Sequence, residues 1–237
     1  MNIGIPPFSN IMPLKKELQG DTEVYYKKII TNKDLAGSDL TVEVLYDRPI
    51  KAPTVAIWVE DSKGNYLQDL YVSEKMAKEG FVNFDGNTKR PEALPVWTHK
   101  RGVKNKKGLY TPSKQNPVPD GMSGATPRTS YVLDTRFNSN TPESIRVFLE
   151  VNQSFDWNEF YHEKAFPNDS VYSGPGMVGQ PALVYATDLF LKGKSTIEKM
   201  QLIGRAHHSG QNGMIYNDIK NLTSALDIVK RIIVEVN

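Results

Sequence analysis

The sequence predicts an all-β fold, an immunoglobulin-like antiparallel β-sandwich with long loops. Three observations predict it: short runs rich in β-branched and aromatic residues recur along the 237 residues, turn signals separate them, and no long apolar period of 3.6 residues occurs. A chain of this length can bury its core as one large domain. Residues 21–237 read as that single domain, with insertions at about 80–130 and 154–181, preceded by a flexible leader at 1–20.

The leader carries Pro6, Pro7 and Pro13 and no periodic apolar face. "TEVYYKKII" (22–30), "LTVEVLY" (40–46) and "TVAIWVED" (54–61) then read as strands bounded by Gly, Asp or Pro. In the third, Val55, Ile57 and Val59 share one face while Ala56 and Trp58 share the other. The polar turn "DSKGN" (61–65) leads into "YLQDLYV" (66–72), so 54–72 forms a hairpin. "SEKMAKEG" (73–80) fits one or two helical turns, with Ser73 as N-cap and Gly80 as the stop.

Residues 80–130 are rich in Pro and Gly, with a short strand expected at "LPVWTHK" (94–100). Strand signals return at "SYVLDTRF" (130–137) and at "SIRVFLEVNQ" (144–153). There Ile145, Val147, Leu149 and Val151 alternate with Arg146, Phe148, Glu150 and Asn152, the pattern of a half-buried strand. After the second excursion come "ALVYATDLFL" (182–191), "STIEKMQLIG" (195–204) and "IVKRIIVEV" (228–236).

Composition removes several classes. Lys and Arg number 29 against 27 Asp and Glu and are scattered except for Lys100 to Lys107, so no electrostatic footprint for nucleic acid forms. Without cysteine there is no disulfide, thiolate nucleophile or thiolate metal site. No apolar run approaches the roughly 20 residues that cross a bilayer as a helix. There is no G-x-S-x-G elbow either.

Three segments carry candidate chemistry. In "RAHHSGQNGMIYND" (205–218), adjacent His207 and His208 would point to opposite faces of a strand, so a metal site needs one of them with Asp218, Asp156 or His162. The competing reading is a polar loop turning at Gly210 and Gly213. In "NQSFDWNEFYHEK" (152–164), Asp156, Asn158, Glu159 and Glu163 are hard oxygen donors without an EF-hand spacing. Trp157, Phe160 and Tyr161 of the same segment form either a platform for a sugar ring or a plug at one end of the sandwich. The third segment is "DGMSGAT" (120–126), where small residues leave a Thr hydroxyl open to another protein's active site, unless Asp120-Gly121 and Ser123-Gly124 simply make turns in a surface loop.

That last segment resembles the D-x-x-S-G-A-T signature at which a bacterial periplasmic flavin transferase attaches FMN through its phosphate. The resemblance implies Thr126 as acceptor, Asp120 as the upstream acid, and Ser123, Gly124 and Ala125 as the intervening match, with Trp97 or Tyr131 to stack on the flavin. A wider resemblance, over about 38–155, is to the uncharacterised bacterial family called domain of unknown function 2271; Trp58, Glu60, Gly64, Trp97, Asp120 and Ser123 to Thr126 carry it.

These resemblances imply an exported, periplasmic protein; since the start "MNIGIPPFSNIMPLKK" has prolines where a signal peptide has an apolar core, export would mean that the signal was trimmed and replaced by Met1. It would be a non-enzymatic binding or carrier module, with FMN on Thr126, a flavin transferase and membrane redox proteins as partners. The alternative is an extracellular carbohydrate-binding or protein-interaction sandwich using the loops at 80–130 and 154–181. A metal-dependent hydrolase using His207 or His208 stands third.

Overall fold

The computed structural model describes residues 13–19, 22–51, 53–78, 90–106, 108–113, 116–119, 123–124, 126–169, 179–193 and 195–236. Two six-stranded sheets face each other as a β-sandwich. The first holds β1 (Pro13–Gln19), β2 (Thr22–Ile30), β7 (Tyr131–Arg136), β3 (Asp39–Tyr46), β12 (Val229–Val236) and β10 (Thr196–Lys199), in that spatial order. The second runs β11 (Gln201–Arg205), β9 (Leu183–Phe190), β8 (Ser144–Gln153), β4 (Pro53–Asp61), β5 (Tyr66–Ser73) and β6 (Ser123–Gly124). Pairing is antiparallel except for β2 with β7 and β5 with β6.

Side-chain alternation builds the sandwich core. Val42 and Val44 of β3, Leu133 of β7 and Val234 of β12 meet Val55, Ile57 and Val59 of β4 and Ile145, Val147, Leu149 and Val151 of β8. The expected hairpin is present, with β4 and β5 joined by the turn at Asp61. The Asp61 carboxylate accepts the amides of Lys63 and Asn65, and Gly64 supplies the positive φ of 80° that closes the turn.

The central strands of the second sheet are buried on both sides, so β8 is not the half-buried strand its alternation predicts. A second core lies on the outer face of that sheet: Ala56, Trp58, Phe148 and Val184 pack against Met76, Leu94, Val96, Trp97 and Val118. The excursion after β5 therefore folds back as a cover. It contains α1 (Glu74–Ala77) and α2 (Pro95–Arg101), and Val118 returns to donate its amide to the Ala77 carbonyl.

Four further expectations are corrected. "LPVWTHK" is the helix α2, not a strand, because Pro95 occupies its first turn, Gly102 closes it with φ 74°, and a carboxylate from β8 receives its first free amides. Ser73 precedes α1 without capping it, since its hydroxyl accepts the Val55 amide at 2.8 Å; Gly80 lies outside the described residues. "STIEKMQLIG" is not one strand: β10 belongs to the first sheet and β11 to the second, and the chain crosses at buried Met200, whose amide donates to Ile232. Residues 13–19, expected within the leader, pair with β2 as β1, from Gln19 opposite Thr22 to Pro13 opposite Lys27.

Two long connections leave one end of the sandwich, where the short 47–52 link between β3 and β4 also lies. At the end where β8 finishes and β4, β9 and β12 begin, the chain makes the connections 154–182 and 206–228. At the opposite end it turns through 62–65, 137–143 and 191–195.

Candidate functional site

The segment 120–126 is only partly described: Asp120 and Ala125 lie outside the described residues. Ser123 and Gly124 form β6, the edge strand of the second sheet, opposite Val72 and Ser73. The Tyr71 hydroxyl donates to the Gly124 carbonyl at 3.2 Å, and a Cβ on Gly124 would come within 3.3 Å of the Tyr71 ring. Thr126 follows outside the ladder, half-buried, before buried Pro127.

Trp97 and Tyr131 cannot stack on a flavin at Thr126 as expected, because both are fully buried. The Trp97 indole donates to Asp69 at 2.6 Å, and Tyr131 sits in a tyrosine cluster with Tyr46 and Tyr71. Most of the other residues that carry the wider resemblance also have structural roles. Glu60 accepts the Trp58 indole with one oxygen and the Lys100 ammonium with the other, and Lys100 also reaches the Gly64 carbonyl. This network ties α2 to the β4–β5 hairpin.

The carboxylate beneath α2 is Glu150, fully buried, accepting the amides of Val96 at 3.2 Å and Trp97 at 2.8 Å. Burial pushes its carboxyl up to about 8, against the pull of those two amides. In the sequence Glu150 shows only as a polar residue on an alternating strand.

The polar and aromatic chemistry that remains gathers at the long-loop end. Arg90 is 1% exposed; it pairs with Glu92 at 2.6 Å and donates to Ser154 and Asn152. Glu92 keeps one buried oxygen without a partner among the described residues, and burial raises its carboxyl. Gly210 makes this corner: its φ is 74°, and a Cβ there would strike the Pro91 carbonyl at 2.3 Å.

His207 and His208 do not lie on opposite faces of a strand. They follow β11 in a turn, where their rings stack at 4.3 Å, and His208 stacks in turn on Phe166 at 4.1 Å. Burial lowers both imidazoles, His208 to about 4, so neither is charged at neutral pH. The carboxylate facing His208 is Asp169, at 3.6 Å; Asp218 instead pairs with Arg205. Among the described residues no group of three or more acidic or imidazole side chains is placed to hold a metal.

The hard-donor reading of 156–163 meets the same outcome. Asp156 accepts the Ser224 hydroxyl, and Asn158 is spent on a turn, accepting the amides of Phe160 and Tyr161 and donating to Asn221 and Thr223. The aromatic residues divide. Tyr161 is buried, whereas Phe155, Trp157 and Phe160 stand 55%, 41% and 44% exposed.

A groove of about 430 Å³ opens elsewhere, beside β2, β3 and β7, but its Asp39, Arg136 and Asp134 already form ion pairs. No described helix is long and apolar enough to cross a membrane. Comparison of the chain with protein families, curated proteins and solved structures returns no match.

Proposed function

We propose that this protein is an exported, non-enzymatic binding module that recognises its ligand with the long-loop end of the sandwich. The supporting observation is the placement of the two long connections: 154–182 and 206–228 leave one end together, whereas the turns 62–65, 137–143 and 191–195 lie at the other. Loops held by a rigid sandwich are the usual place for recognition. Of the two loops expected to recognise a ligand, the described part of the first covers the outer face of the second sheet, which leaves the second for recognition.

The test is an amide chemical-shift titration of the labelled protein with fractions of a bacterial envelope extract: small molecules, glycans and proteins. Shifts confined to about 153–169 and 205–226 are expected with one fraction. No shifts with any fraction, or shifts at the 62–65 and 137–143 turns, would exclude the reading.

The second reading is a carrier with FMN on Thr126. What favours it is that β6 parks Ser123 and Gly124 at a sheet edge while Thr126 emerges beyond the ladder. Co-expression of an exported form with a flavin transferase, followed by intact mass, decides it. Wild type should gain one FMN-sized increment that Thr126→Ala lacks; equal masses for the two leave the segment as an edge strand only.

A further inference from the structure

We propose that Phe155 and Trp157 form a saccharide-binding corner, in which the apolar face of a pyranose ring lies on one aromatic ring and is bounded by the other. This inference rests on the binding-module reading and names the ligand class for it. The two rings stand 5.9 Å apart at 83°, so they make a walled corner instead of a flat patch. Sugars suit such a corner because their C–H faces are apolar while their rims carry hydroxyls.

The backbone builds this corner at a cost. Phe155 has φ of 59°, a left-handed conformation that a bulky aromatic residue rarely adopts. It is held there from within: buried Asp156, between the two exposed rings, accepts the Ser224 hydroxyl, and its carbonyl accepts the Gln180 amide. Gly179 packs so closely on the Asp156 backbone that a Cβ would lie 2.7 Å from it. On the other side Asn158 fastens the chain to Asn221 and Thr223. So braced, the loop leaves Phe155 and Trp157 55% and 41% exposed.

Size selects the occupant. Phe155, Trp157 and nearby Phe160 together expose on the order of 300 Å² of aromatic surface, given about 200 Å² for a whole ring side chain. A standard protein partner needs roughly 800 Å² from each side. A sugar residue or two needs only a few hundred. The exposed carboxylate of Glu159, two residues after Trp157, can accept from a sugar hydroxyl. Pre-organised rings lose little freedom on binding, which is what weak, multivalent glycan contacts require.

The experiment is affinity electrophoresis of the whole protein through gels containing hydroxyethyl cellulose, xyloglucan, galactomannan, laminarin or soluble starch. At least one polysaccharide should retard the wild type. Trp157→Ala and Phe155→Ala should lose that retardation by tenfold or more in apparent Kd with unchanged circular dichroism, while Tyr25→Ala, an exposed aromatic on the first sheet, should behave as wild type. No retardation by any of the five, or equal retardation of the two corner variants, overturns the proposal. If the shift titration succeeds with another fraction while the gels fail, the saccharide inference falls and the binding-module reading stands; if both fail, both fall.

Discussion

Single residues in this protein carry costs that the rest of the fold meets. Phe155 at φ 59° is the clearest case, and replacing it with Asn, which tolerates left-handed backbone, should stabilise the domain by about 1 kcal/mol. Urea unfolding measures this, and a destabilised Phe155→Asn would show that the ring contributes more to the fold than its exposure indicates. Glu150 presents the converse. Its removal in Glu150→Ala leaves the buried amides of Val96 and Trp97 without an acceptor, at about 1–3 kcal/mol each, whereas Glu150→Gln keeps one carbonyl acceptor and should cost less. Equal losses in the two variants would mean that packing, not the hydrogen bonds, is what matters there.

At the scale of elements, α2 is held mostly by groups distant in sequence. The Trp97 indole reaches Asp69, and Lys100 reaches Glu60 and the Gly64 carbonyl. Trp97→Phe keeps most of the apolar contact but leaves Asp69 without its 2.6 Å donor, so the expected loss is about 1–3 kcal/mol of unfolding free energy, measured with urea. A loss below 0.5 kcal/mol, a surface-like value, would show that Asp69 finds another donor.

The same dependence explains what sequence could reveal about this helix. "LPVWTHK" has the apolar and β-branched content of a strand, and the acceptor for its first amides lies on β8, more than 50 residues on. Pro95 and Gly102 do have the spacing of a helix start and stop, and that was the available signal. By contrast Val55, Ile57 and Val59 against Ala56 and Trp58 could be assigned to two faces from alternation alone, because the pleat sets that locally. That both faces are buried depended on the distant cover. The two-sheet path of 195–205 was hidden for a related reason: a crossover at one buried Met leaves no turn signal. Of the site, the aromatic residues of 155–160 were legible as a cluster, but their outward orientation depends on Asp156, Gly179 and Ser224.

For the whole molecule the buried titratable groups set an optimum pH, and the signs follow from which state binds more protons. His207 and His208 are lowered by burial, His208 to about 4, so the unfolded chain, with imidazoles near 6.5, binds protons that the folded chain refuses. That contribution is complete above roughly pH 6.5 and is lost as pH falls toward 4. Glu150 behaves oppositely. With its folded carboxyl raised to about 8 and the unfolded value near 4.3, the folded state holds the extra proton, and stability falls as pH rises through that window. Asp69, Glu92 and Asp156 are raised by burial too and add to this arm, while exposed Asp61 and Asp218 are lowered by hydrogen bonds and act only below the usual carboxylate range. Above about pH 6.5 the imidazole contribution is complete, so stability should decline from there toward pH 8 instead of staying level. Denaturant midpoints measured every half unit from pH 4 to 9 check this. Glu150→Gln should flatten the upper arm and His208→Phe the lower one; if Glu150→Gln leaves the decline unchanged, the proton is held by one of the other buried carboxyls and not beneath α2.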